Sequence, residues 1–180
     1  PNNKDHPMAT IAFLLDTDFE QVEYTHPKIL LEEKGHTTTL ITTQPQKQVR
    51  GLNHTDPADH FDADLLVADA KIEDYDALVL PGGGANADAL RFNQDAQAMV
   101  KAFFDSGKPV AAICHAPWIF VDTQIANGKK LTAYKTIAID LKNAGAHFED
   151  SPVVTDGNLI TSRQPDDIPA FVEAIDKMLT

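Results

Sequence analysis

One cysteine, followed at once by a histidine, stands in Val110-Ala111-Ala112-Ile113-Cys114-His115-Ala116-Pro117-Trp118. Ala112 and Ala116 occupy the places where the nucleophile elbow G-x-S-x-G has its glycines. Such a strand-to-helix turn is sharp, and large flanking side chains would collide. A cysteine held on it points out of the carboxyl edge of a sheet. It faces the positive end of the following helix, which favours thiolate over thiol. The chemistry implied is nucleophilic attack. The plain alternative is a buried small hydrophobe, as many free cysteines are. His115 is a candidate accessory acid–base group, although adjacent residues on a turn point apart. Its simpler role is to lend a backbone N–H at a helix start.

Two further stretches belong with this one. "LVLPGGG" (78–84) is a strand and a glycine turn. If the strand "ALVL" lies beside "PVAAIC", then Gly83 or Gly84 N–H and His115 N–H point at one spot and form an oxyanion hole. By itself the PGGG run is a turn as often as a site. "LLDTDFEQVEY" (14–24) carries Glu20, predicted to open the first helix just beyond the first strand. Ligand sites of parallel sheets gather at the carboxyl ends of strands, which places Glu20 within reach of Cys114. Protonated, its carboxyl would donate a hydrogen bond to the thiolate. The alternative is a solvated first-turn acid, of which neighbouring Glu23 is an example.

The elements that must position these groups alternate. Strand-like runs are "ATIAFLL" (9–15), "TTTLIT" (37–42), "ALVL" (77–80) and "PVAAIC" (109–114). A helix is predicted from about Glu20 to Lys34, kinked or interrupted at Pro27. Ala96, Met99, Val100, Phe103 and Phe104 fall at helical spacing and make one apolar face. "HAPWIFVDTQIANG" reads as a helix apolar almost all round, and "TIAIDLKNAG" (136–145) as another. Residues 44–76 suggest a small hairpin and a short helix. Asp156-Gly157-Asn158 marks a hairpin turn. The terminal helix has the apolar face Ile168, Phe171, Val172, Ile175, Met178 and Leu179, with an aspartate near its N-cap. Continuous apolar strands alternating with helices imply a mostly parallel sheet covered on both faces. Residues 1–7, "PNNKDHP", read as an unstructured lead-in, and 8–180 as one domain.

Composition removes several function classes. The chain has 180 residues, 15 basic and 27 acidic, with a net charge of -12. That balance repels phosphates, so no nucleic-acid or anionic-membrane partner is expected. "MATIAFLL" is too short to span a membrane. A single cysteine allows no intrachain disulfide and fits a reducing, cytoplasmic compartment. The histidines lack metal-site spacing, and no dinucleotide fingerprint appears, so neither metal nor cofactor is expected.

"FEQVEYTHP", "LVLPGG", "GKPVAAICHAP" and "KNAGAHFEDSPVVTDGNLITSRQPDDIPAF" together resemble the ThiJ/PfpI superfamily, in particular its branch of PfpI-like intracellular proteases and stress proteins. The resemblance runs from Ala9 almost to the end of the chain. It implies an α/β, flavodoxin-like three-layer sandwich related to class I glutamine amidotransferases, and a homodimer or larger assembly. It also implies a nucleophile at Cys114, its partner His115 and a carboxylate at Glu20. A further acid reaches the Cys-His pair from a neighbouring subunit in PfpI-like members, and "GGGANADALR" offers Asp88 at that place. This acid is aspartate where some members have glutamate, after a turn one residue longer, and a helix N-cap is its other reading. Ala116 replaces the usual glycine after Cys-His. Tyr134 falls where the resemblance suggests a pocket-lining tyrosine. His147-Phe148-Glu149 mimics the amidotransferase His-x-Glu, but with phenylalanine in place of proline, and reads better as exposed strand.

The expected function is a stress-response cysteine hydrolase acting on a peptide or amide bond, or on adducts of a small dicarbonyl. The alternative is an oxidative-stress sensor or chaperone-like protein acting through Cys114 oxidation. A structural thiol in a fold without chemistry is the third reading.

Overall fold

The computed structural model describes residues 8–180. The lead-in predicted for residues 1–7 lies outside the described residues. In chain order the elements are β1 (Thr10–Leu15), β2 (Phe19–Glu20), α1 (Val22–Glu33), β3 (Thr37–Thr42), β4 (Gln48–Asn53), β5 (Asp56–Asp62), β6 (Leu65–Leu66) and β7 (Ala77–Leu80). Then follow α2 (Gly84–Phe92), α3 (Gln94–Asp105), β8 (Val110–Ile113), α4 (Ile119–Asp122), β9 (Lys130–Leu131), α5 (Ala138–Asn143), β10 (His147–Phe148), β11 (Val153–Asp156), β12 (Leu159–Ser162) and α6 (Ile168–Leu179).

The central sheet has seven strands in the order β11-β12-β8-β7-β1-β3-β6, all parallel except the edge strand β11. β1 sits at its middle, paired with β3 on one side and β7 on the other. Because a strand exposes alternate residues to opposite faces, its uninterrupted apolar run feeds two cores. Ala12 and Leu14 join Leu78, Leu80, Val110 and Ala112 under α2, α3 and the short helices after β8. Ile11, Phe13 and Leu15 join Val79, Ala111 and Ile113 under α1 and α6, where Phe171, Val172 and Ile175 are fully buried. This is the three-layer α/β sandwich expected from the alternation of elements.

The helices follow their apolar faces, with four departures. α3 buries Ala96, Met99, Val100 and Phe103 and is capped by Asn93, whose side chain accepts from Ala96 N at 2.9 Å. α1 starts at Val22, not Glu20, because Phe19 and Glu20 pair with Gly51 and Leu52 as β2. It also runs unbroken through Pro27, which is buried on the same face as Tyr24 and Leu31. The long helix expected after Cys114 is instead a 3-10 turn (Ala116–Trp118) and the four-residue α4, ended where Gln124 turns left-handed at φ 64°. Residues 44–76 do form a hairpin, β4–β5, which joins β2 in a separate three-stranded sheet. In place of the short α-helix expected there are two 3-10 turns, Val67–Asp69 and Ile72–Asp74. The Asp156-Gly157-Asn158 turn joins β11 to β12, and His147-Phe148 is a strand with its histidine exposed. Among the described residues, no helix is long and apolar enough to cross a membrane.

Candidate active site

β7 and β8 are neighbours in register, Leu80 against Ala112. Their carboxyl ends therefore bring the PGGG turn and the Cys-His turn side by side. Cys114 is the residue after β8 and adopts φ +65°, a conformation that costs a non-glycine residue about 1–3 kcal/mol. Two backbone bonds hold it there: Cys114 N donates to Ser162 O at 3.0 Å, and Tyr134 N donates to Cys114 O at 2.8 Å. The thiol is buried at 8% exposure yet lines a cavity of about 740 Å³. A volume of that order suits a small molecule or a peptide side chain.

The sharp turn brings the adjacent side chains together. Cys114 Sγ lies 3.2 Å from His115 Nδ1, and His115 Nε2 lies 3.3 Å from Thr136 Oγ1. With Nε2–H donating to Thr136, Nδ1 is left to accept the thiol proton. The ring stacks on Tyr134 at 4.8 Å between centroids. Burial holds the imidazole below its ordinary range, which favours the neutral ring, the form with a nitrogen free to accept a proton.

The carboxyl group beside the thiol is Glu23, one turn beyond the predicted Glu20. Glu23 is fully buried, and its Oε1 accepts from Gly82 N at 3.0 Å. Gly82 is walled in on this side: a Cβ there would meet Glu23 Oε1 at 2.6 Å, Ile113 O at 2.6 Å and Cys114 Cβ at 2.8 Å. Glu23 Oε2 is buried without a hydrogen-bond partner among the described residues. Burial, and then the charge of Glu20, push the Glu23 carboxyl up to about 8. The Cys114 thiol is pushed up as well, first by burial and then by the Glu23 charge, against the pull of the Gly83 and His115 N–H groups. The expected depression of the thiol is thus reversed. The helix meant to supply it is too short to build a dipole, and a buried acid stands opposite.

The other sequence candidates fall around this centre. Gly83 turns at φ +91°, and its N–H and that of His115 both face Sγ. Gly84 and Tyr134 line the cavity. Glu20 lines its rim, partly exposed, and accepts from His54 N at 3.2 and 3.3 Å. Asp88 is exposed in the middle of α2, not at its N-cap, which is Gly83. It shares a shallow groove with His115, Trp118 and Thr136. Within one chain the His115 Nε2 partner is Thr136, not Asp88. Glu23 was legible only as one of two glutamates three residues apart. Once a helix is taken to start at Val22, Glu23 shares its inward face with Tyr24 and Pro27, and that is the signal. Among the described residues, no group of three or more His, Cys, Asp or Glu is placed to hold a metal ion.

The family model described as the DJ-1/PfpI family matches residues 9–178. A protein of Bacillus subtilis (strain 168) named "Putative cysteine protease YraA" is 40% identical over 161 residues, covering 89% of this chain and 92% of the relative. An uncharacterized protein of Staphylococcus saprophyticus is 42% identical over 163 residues, with the same two coverages of 89% and 92%. Among solved structures, a two-domain protein of Anabaena variabilis with DJ-1/ThiJ/PfpI-like and ferritin-like domains superposes with a TM-score of 0.88 at 32% identity. The match covers 95% of this chain and 48% of that one, so this chain spans about half of that protein's length.

Proposed function

The chain belongs to the DJ-1/PfpI family, and from that premise we propose that it is a stress-response cysteine hydrolase. Its substrates are peptide or amide bonds, or adducts of small dicarbonyls. The observation that carries this reading is the 3.2 Å approach of Cys114 Sγ to a neutral His115 Nδ1 on a strained turn. Since the thiol is held protonated, attack and deprotonation go together. Sγ bonds to the carbonyl carbon as His115 Nδ1 takes its proton, and the carbonyl π pair moves to oxygen. The N–H groups of Gly83 and His115 face Sγ in the free protein; to stabilise that oxyanion they exchange Sγ for the substrate oxygen once the carbon–sulfur bond forms. His115 then gives its proton to the leaving nitrogen as the carbon–nitrogen bond breaks, and water hydrolyses the thioester. Cys114→Ser is expected to abolish turnover of a panel of peptide amides and methylglyoxal adducts. Turnover that survives it would remove the mechanism.

A second reading rests on Glu23. Its unpartnered Oε2, on a carboxyl that keeps its proton up to about pH 8, suits donation to an oxygen on an oxidised Cys114. On that reading the protein senses peroxide: one equivalent gives sulfenic acid and water, a second gives sulfinic acid. A stable species two oxygens heavier at Cys114, without turnover in the reduced protein, would favour it.

We read the protein as a homo-oligomer of the reducing cytoplasm. Phe92 is 87% exposed at the end of α2, four residues from Asp88, and a second copy would cover it. In that assembly Asp88 of one subunit approaches His115 of the next. Sedimentation of the parent as a dimer or larger, and of Phe92→Asp as a monomer with unchanged circular dichroism, is the expected result. A monomeric parent would end this part of the reading.

A further inference from the structure

We propose that Asn86 is a positioning residue: its buried carboxamide holds the Pro81–Gly83 turn and thereby sets the two groups that face Cys114, the Glu23 carboxyl and the Gly83 N–H. The inference rests on reading Cys114 as the reactive group of this site.

Asn86 is the third residue of α2 and is completely buried. Its amide is satisfied at each position. Nδ2 donates to Pro81 O at 3.0 Å and to Gly82 O at 2.9 Å, and Oδ1 accepts from Asp16 N at 2.6 Å. The reversed amide would set an oxygen against two carbonyls and an NH2 against an N–H, so one orientation is enforced. Polar residues at this depth cost stability unless paired, and here both donors and the acceptor are spent on backbone at the ends of β1 and β7. Asp16 extends the anchor, because its carboxylate accepts from Thr17 N, Gln44 Nε2 and Thr43 Oγ1.

Gly82 is where the network meets the thiol, through the peptide on each side of its Cα. Its carbonyl accepts from Asn86 Nδ2 and from Glu20 N at 3.2 Å, while its N–H gives Glu23 Oε1 its bond. The next residue, Gly83, presents its N–H to Sγ at φ +91°, where a Cβ would lie 2.6 Å from Glu20 N. Gly82 and Gly83 have no side chains to fix this geometry, so Asn86 fixes it from the helix that follows. Without the carboxamide the Pro81–Gly82 and Gly82–Gly83 peptides can tilt, and Glu23 and the Gly83 N–H move with them.

The test is the rate of Cys114 alkylation by iodoacetamide against pH, read with circular dichroism and thermal unfolding. It needs no turnover, so an absent hydrolytic activity leaves it intact. Asn86→Ala takes the Nδ2 donor from Pro81 O and Gly82 O and the acceptor from Asp16 N, and is expected to slow alkylation about tenfold or displace the profile. Asn86→Ser keeps a hydroxyl able to bond the carbonyl four residues back, here Gly82 O, and should lose only about threefold. In a Glu23→Gln background the Asn86→Ala effect should shrink, since the two act through one peptide. Parent-like profiles in both variants, with only Tm lowered, would overturn the proposal. So would a parent-like Asn86→Ser profile if Asn86→Ala does not fold. A parent thiol unreactive at every pH would remove both this proposal and the reading beneath it.

Discussion

The floor and the rim of the Cys114 cavity each carry a glutamate from one short stretch, and the two are built differently. On the floor, Glu23 reaches inward from the first turn of α1, bonds the Gly82 peptide and is closed off from water. On the rim, Glu20 ends β2, stays partly exposed and, among the described residues, accepts only from the backbone of His54 at the tip of the β4–β5 hairpin. Three residues separate them, so their chemistry differs because of what surrounds them. The floor is made by sheet ends that cannot move apart without breaking the core. The rim is made by a hairpin tip whose residues Asn53, His54 and Thr55 are all exposed. On the proposed reading, reactivity is set on the floor and access at the rim.

This contrast can be broken most forcefully at Gly82. Gly82→Ala drives a methyl group into Ile113 O and Glu23 Oε1. We expect a loss of about 1–3 kcal/mol from overpacking, read as a lower Tm, together with a collapse of Cys114 alkylation. Unchanged stability and reactivity would mean the floor is not rigid.

Glu23→Gln comes next. The carboxyl rises from an ordinary 4.5 to about 8 in the folded chain, so folding retains a proton that the unfolded chain releases. Its stabilising contribution is complete below pH 4.5 and is lost as pH climbs through 8. Across that window the parent should lose stability relative to Glu23→Gln with a slope approaching about 1.4 kcal/mol per pH unit. Denaturant midpoints at several pH values measure it. Alkylation above pH 8 should also speed up, because a charge that holds the thiol up is gone. Parallel stability curves would place the burial argument in error.

Glu20→Gln should do least. A glutamine still accepts from His54 N, and stability should stay within about 0.5 kcal/mol. Its one clear effect is to remove a charge that lifts Glu23, which moves the Glu23 titration down. A larger effect on Cys114 alkylation than that of Glu23→Gln would exchange the roles of floor and rim.

Much of the fold and part of the site were legible in the chain. Continuous apolar runs located β1, β7 and β8, a β-branched run β3, and period-3.6 spacing α3 and α6, because apolar spacing has to match the geometry of a buried face. The Cys114 turn and the PGGG turn were legible for the same reason, since small residues mark places where backbone must pass close. The stretch after Cys114 was misjudged as one long helix. Its composition is apolar throughout, so burial concealed where the chain turns at Gln124.

By itself the sequence determined the layer order, the single thiol at a strand end and the glycine turn beside it, because these follow from local spacing and steric size. Only the tertiary structure decided which glutamate meets Cys114, that the thiol is raised, and that Asn86 ties the glycine turn to the end of β1. Those outcomes depend on contacts between residues 59 and 70 positions apart, Gly82 with Glu23 and Asp16 with Asn86. Burial and hydrogen bonding at such separations exist only once the strands are ordered, and no local pattern encodes them.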